Sequence, residues 1–161
     1  MSNLIVVGMA ELKVAEAPDK LVTYGLGSCV GVTLYDPLRR IGGMVHVMLP
    51  DSSLYAGHNN KAKFMDTGIA ELLNVMAAAG ASKVGLRAKV AGGAHMFGLT
   101  HETDIIKVGL RNGEMAARIL EKYRIPIMAR ELGGTFGRTI ILDTADGSLQ
   151  IRTVGHGEHT V

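Results

Sequence analysis

One thiol and one imidazole in this chain stand where a strand–turn–strand unit would bring them together. Cys29 is the only cysteine. It opens the run Ser28-Cys-Val-Gly-Val-Thr-Leu-Tyr35, which is followed by Asp36-Pro-Leu-Arg39 and then by Arg40-Ile-Gly-Gly-Met-Val-His-Val-Met-Leu49, with His46 inside it. Asp-Pro after a β-branched run signals a turn, because proline presets φ and aspartate bonds its own backbone. A four-residue loop over Asp36–Arg39 would set Tyr35 opposite Arg40. Following that ladder back sets Cys29 directly opposite His46, on one face, with Cβ atoms about 5 Å apart. The other face would carry Val30, Val32 and Leu34 against Ile41, Val45, Val47 and Leu49, an apolar surface. Gly31, Thr33 and Gly42 would leave the Cys29/His46 face open to something approaching. A slip of one residue would turn His46 into the core.

The chemistry such a pair supports is acyl transfer. A cysteine with its ordinary pKa near ~8.5 is mostly protonated at neutral pH. An adjacent imidazole can take the proton and later return one to a leaving amine. The turn Tyr24-Gly-Leu-Gly-Ser28 precedes the thiol, so unshielded N–H groups at Gly27 and Ser28 are candidates for an oxyanion hole. A third group should orient the imidazole, and residue types alone do not single one out. The competing reading is a buried, inert thiol beside a structural histidine.

The elements that must position this pair belong to an ordinary soluble chain. Its 161 residues favour one domain, read as 1–161, and 47% apolar against 20% charged residues supports a substantial core. A net charge of +2 gives no reason to expect nucleic acid or an anionic membrane as partner. With one cysteine, an internal disulfide and a four-cysteine zinc site are excluded, and a lone thiol suits a reducing compartment. Met1–Gly8 carries no basic n-region and no long apolar run, so it does not read as a signal peptide, and no run approaches a membrane span, so a cytoplasmic location is expected.

Glycine clusters beside short β-branched runs suggest strands at Leu4–Gly8, Leu21–Tyr24, Ser28–Tyr35, Gly42–Leu49, Gly85–Ala91, Ile125–Glu131, Thr139–Leu142 and Leu149–Val154. Asp143–Gly147 reads as a hairpin connection. Met65, Ile69, Leu72, Leu73 and Met76 predict a helix over Asn60–Ala79, stopped by Gly80. Met115, Ile119 and Tyr123 predict a second over Asn112–Tyr123, with Asn112 as its cap. Strands plus two amphipathic helices imply an α+β or mixed layered domain. Gly25-Leu-Gly27 leads into a strand and has the wrong spacing for a dinucleotide fingerprint. His156 and His159 read as a solvated tail in preference to zinc ligands. His58, His95 and His101 read as loop histidines, and Asp66 as a packing or surface residue.

Thr23-Tyr-Gly-Leu-Gly-Ser-Cys29 followed by Val45-His-Val-Met-Leu-Pro-Asp51 resembles the CheD family of chemoreceptor glutamine deamidases. Ala91-Gly-Gly-Ala94, Met96-Phe97, Gly109-Leu-Arg-Asn112 and Gly133-Gly134 extend the resemblance over nearly the whole chain. Phe64 stands where the family pattern leads us to expect tyrosine. The resemblance implies Cys29 as nucleophile, His46 as general base and acid, and Thr23 as third member of the site. It implies a three-layered α/β/α sandwich with a mixed sheet and two main helices. The implied activity is that of a cysteine hydrolase converting chemoreceptor glutamine to glutamate, with no cofactor and with possible hydrolysis of glutamyl methyl esters. It also implies chemoreceptor cytoplasmic helices and a CheC-type phosphatase as partners. A non-catalytic regulator of such a phosphatase is the alternative.

Overall fold

The computed structural model describes residues 2–95 and 104–161, so that Met96, Phe97 and His101 lie outside the described residues. Its centre is the hairpin that carries the cysteine and the histidine. Strands β4 (Val30–Asp36) and β5 (Ile41–Val47) are buried along their whole length. They pair antiparallel within a five-stranded sheet of order β2-β5-β4-β6-β7, whose other members are β2 (Leu12–Glu16), β6 (Arg87–Gly92) and β7 (Ile127–Leu132). The β6–β7 pair is parallel, so the sheet is mixed. A second mixed sheet has the order β1-β3-β8-β9-β10, built from β1 (Leu4–Val6), β3 (Lys20–Leu26), β8 (Arg138–Asp143), β9 (Leu149–Thr153) and β10 (Gly157–Thr160).

Alternation along the hairpin divides the core in two. Val30, Val32, Leu34, Ile41, Val45 and Val47 face helices α1 (Met65–Ala78) and α2 (Asp104–Lys122), packing with Met65, Ile69, Leu72, Met76, Ala116 and Leu120. The opposite face, with Cys29, Met44 and Ala91, packs on Leu21, Leu26, Ile140, Leu142 and Ile151 of the second sheet. The fold is therefore the expected α+β sandwich with two main helices. Its layers run helices, sheet, sheet: the second helical layer of the α/β/α expectation is replaced by β1-β3-β8-β9-β10, because both amphipathic helices bury their stripes on the same face.

Two further expectations change. Asp36 pairs with Ile41, and Gly31, not Cys29, lies opposite His46. The turn is Pro37–Arg40: the Asp36 carboxylate accepts the N–H groups of Leu38 and Arg39 while its backbone stays in the strand, and Arg40 takes a left-handed φ of 53°. A two-residue shift preserves parity, so Cys29 and His46 keep the same face but become diagonal neighbours. The glycines on that face are not openings either. A Cβ on Gly31 would stand 2.6 Å from Ile140 Cδ1, and one on Gly42 would stand 2.8 Å from Leu142 Cδ2. They let the second sheet close down.

Strands β2 and β10 give weak hydrophobic signals. Leu12-Lys-Val-Ala-Glu16 mixes charge into an edge strand, and Gly157-Glu-His-Thr160 has no apolar residue. The second is held by pairing with β9 and by His159 Nε2, 2.9 Å from Glu131 Oε1, so the tail is a strand. Asn60 caps a short 3₁₀ turn, Lys61–Lys63, ahead of α1. Asp66 accepts from Ser52 N and Oγ, tying the loop after β5 to the first turn of α1. None of the described helices is long and apolar enough to cross a membrane.

Gly31→Ala should destabilise the fold by about 1–3 kcal/mol through overpacking. Adding Ile140→Val, which deletes the clashing methyl, should recover part of that loss. Urea denaturation of the two single variants and the double variant checks the coupling; purely additive losses would contradict the inter-sheet contact.

Candidate active site

The site lies between the two sheets, where β3 and β5 face each other. Thr23, on β3, is wholly buried and its hydroxyl does two things. It donates to Val7 O at 2.6 Å, so its oxygen is left to accept from His46 Nδ1 at 2.7 Å. A hydroxyl has one hydrogen, and Val7 takes it. This fixes the tautomer: Nδ1 carries the proton and Nε2 keeps its lone pair. His46 is 1% exposed, and Nε2 has no partner among the described residues. The ring is held at one nitrogen and free at the other.

Cys29 lies one residue before β4, and continuing the β4–β5 register by one residue sets it diagonal to His46. No hydrogen bond joins its sulfur to Nε2. Burial raises the thiol pKa from its ordinary value, partly opposed by the residue's own N–H. Burial lowers that of His46. Both directions favour the uncharged forms, thiol and neutral imidazole. Among the described residues the partner at Nδ1 is a neutral hydroxyl, which orients the ring without the charge a carboxylate would supply.

The loop between β3 and β4 is fastened through its carbonyls. Gly27 O accepts from Ala94 N at 2.8 Å, Cys29 O from Gly93 N at 2.8 Å, and Ser28 O from Asn112 Nδ2 at 3.0 Å. Among the described residues, the N–H groups of Gly27, Ser28 and Cys29 have no backbone carbonyl partner. The turn after β6 meets this loop because Gly92 and Gly93 have positive φ of 115° and 62°, a region that favours glycine. Buried Arg138 holds the same turn, donating to Gly92 O and Gly133 O at 3.2 and 2.8 Å.

The structure thus brings Thr23 to His46 and puts Cys29 on the same face, with Gly27 and Ser28 in the fastened loop. Asn112 is not a helix cap. It lies inside α2, wholly buried, on the stripe of Gly109, Ala116 and Leu120. A polar amide on an otherwise small and apolar stripe was the signal for it. The contributions of Val7 and Arg138 are backbone placement or long-range contact and carried no sequence signal, whereas Gly93 and Ala94 were marked only by the family-like Ala91-Gly-Gly-Ala94 stretch, without a role. His95 is half-buried, not a surface residue, and its N–H bonds Gly134 O. His58 is exposed and meets buried Phe64 in a tilted ring contact, with centroids 4.7 Å apart. His156 makes a tilted ring contact with Phe136. Among the described residues no group of three or more acidic, histidine or cysteine side chains is placed to hold a metal.

A family model described as CheD chemotactic sensory transduction matches residues 48–153. The chain is 47% identical to a protein of Syntrophomonas wolfei and 45% identical to one of Desulfitobacterium hafniense, in each case over 161 residues and the full length of both chains. It is 47% identical to a protein of Clostridium novyi, over 94% of this chain and 93% of the relative. Each of the three is named a probable chemoreceptor glutamine deamidase CheD. The full-length relatives span Thr23, Cys29 and His46, which precede the residues matched by the family model. Among solved structures, the Bacillus licheniformis hypothetical protein YfiH is 18% identical, covering 74% of this chain and 49% of its own, with a TM-score of 0.46.

The histidine's environment sets a stability test. The unfolded chain binds a proton at His46 near pH ~6.5, while the folded state resists it. Stability from the neutral ring is therefore complete above that pH and is lost as pH falls toward the lower folded pKa. His46→Gln should lose less stability than the parent between pH 7 and pH 5, conditions set by that reference pKa. Chemical denaturation at the two pH values measures the difference; equal losses would contradict a buried neutral ring.

Proposed function

This chain belongs to the CheD family, and from that membership we propose that it is a glutamine deamidase acting on chemoreceptors. The observation that carries the reading is the Thr23–His46 bond, which leaves Nε2 free on the face shared with the only cysteine. A ring fixed at Nδ1 and unpartnered at Nε2 is what a general base requires.

The chemistry follows from a neutral pair. The sulfur of Cys29 attacks the carboxamide carbon of a receptor glutamine as its proton passes to Nε2 of His46. The carbonyl oxygen becomes an oxyanion, supported by N–H groups of the Gly27–Cys29 loop. Collapse breaks the C–N bond, and Nε2–H protonates the departing nitrogen, releasing ammonia and leaving a thioester. Water then attacks that carbonyl, giving its proton to Nε2. The second collapse expels the sulfur, which recovers a proton, and frees glutamate. No cofactor enters these steps. The diagonal placement of Cys29 and His46 suits them, since the substrate's carbon and nitrogen must fit between sulfur and Nε2.

The same attack would cleave a glutamyl methyl ester, because an alkoxide departs more readily than an amine. Chemoreceptors are the proposed substrates, supported by the relatives' names; their cytoplasmic helices as the surface acted on rest on the family resemblance alone. A CheC-type phosphatase partner rests on the family resemblance alone.

Incubating the full chain with a receptor cytoplasmic fragment should convert particular glutamines to glutamates, read as the amide-to-acid mass change. Cys29→Ala should abolish conversion while melting normally; retained conversion would remove Cys29 as nucleophile. His46→Ala should slow turnover by about 100-fold or more. Thr23→Val deletes the hydroxyl that serves both Nδ1 and Val7 O, so it should cost about 1–3 kcal/mol of stability. It should also lower the rate with receptor binding preserved. A parental rate in the Val variant would leave a Cys29/His46 dyad without Thr23.

A further inference from the structure

Asn112 joins three elements at one point. Its Nδ2 donates to Ser28 O, in the nucleophile loop, and to Met48 O, just past the end of β5, both at 3.0 Å. A primary amide has two hydrogens, and both are used. Its Oδ1 is buried with no partner among the described residues. Reversing the amide would turn that oxygen against two carbonyl oxygens, so the contacts themselves set its orientation. An apolar residue would fill this place on the helix without burying an unsatisfied oxygen.

Helix α2 reaches the loop only because glycine meets glycine. A Cβ on Gly109 would lie 2.7 Å from Ala94 O, and one on Gly93 would lie 2.7 Å from Gly109 O. The helix backbone therefore rests on the turn that fastens Gly27 and Cys29, and Asn112, one turn further on, reaches Ser28.

Peptide geometry gives these bonds a chemical consequence. The C=O of Ser28 and the N–H of Cys29 belong to one planar trans peptide and point in opposite directions. Gripping the carbonyl fixes where the N–H points. The second bond, to Met48 O, ties the same grip to the strand that carries His46.

We propose that Asn112 is a positioning residue for acyl transfer: through Ser28 O it aims the Cys29 N–H at the developing oxyanion, and through Met48 O it sets the spacing of nucleophile and base. This rests on Cys29 being the nucleophile, and not on which glutamine or receptor is the substrate.

The test compares two reactions of the one thiol in the full chain. Iodoacetamide alkylates it by displacement at a saturated carbon, with no oxyanion. p-Nitrophenyl acetate acylates it through a tetrahedral oxyanion and releases p-nitrophenolate. Rates are taken with the Cys29→Ala background subtracted. In Asn112→Ala the acylation-to-alkylation ratio should fall about tenfold or more, less than the ~100- to 1,000-fold cost of removing an oxyanion donor outright, because the N–H is misaimed and not lost. A merely loosened loop or altered thiol access would move both rates together, so an unchanged ratio overturns the proposal.

Asn112→Asp keeps the shape if the alanine variant does not fold. Its carboxyl offers one donor only when protonated, so its ratio should fall as pH rises through ionisation. A ratio matching the parent at every pH overturns the proposal equally. Receptor deamidation measured alongside separates the two readings. A parent that leaves receptor glutamines intact, with the ratio effect present, removes the substrate and keeps the positioning role.

Discussion

A single hydroxyl between two sheets orders the centre of this molecule. Thr23 gives its hydrogen to Val7 and takes one from His46, so one side chain joins the segment after β1, strand β3 and strand β5. The bond can form only if the sheets approach closely at that point. That approach is secured by glycine at positions 31 and 42, where Ile140 and Leu142 occupy the space a side chain would need. Packing and chemistry are therefore not separable here. The contacts that exclude water from the core also hold an imidazole in one tautomer with its second nitrogen unclaimed.

Much of this was legible in the hairpin. Period-two alternation assigned Val30, Val32 and Leu34 to one face and placed Cys29 with His46 on the other, and that division stands. The register moved by two because the Asp36 side chain caps the turn while its backbone remains in the strand. No hydrophobic pattern encodes such a choice, since both registers preserve the faces. The open face expected from Gly31 and Gly42 was an inference from side-chain size alone. It could not anticipate a second sheet, whose strands come from both ends of the chain.

Other features were invisible for different reasons. Strand β10 has no apolar residue and exists through pairing with β9. Helix α2 begins at Asp104, not Asn112, and its small residues Gly109, Gly113 and Ala116 hide an interface that depends on backbone proximity. Arg138, buried at 6% exposure and donating only to carbonyls, is a polar residue whose role appears once the Gly92 and Gly133 turns are brought beside it. Sequence periodicity reports which face is apolar. It does not report which distant carbonyl needs a donor.

The burial of Cys29 bears on how the protein survives in a cell. Peroxide and other soft electrophiles attack thiolates far faster than thiols. A sulfur 9% exposed, with its pKa raised by burial, presents less thiolate for such electrophiles to attack. With no second cysteine in the chain, an oxidised Cys29 would have no intramolecular thiol to restore it. Burial thus trades standing nucleophilicity for chemical durability.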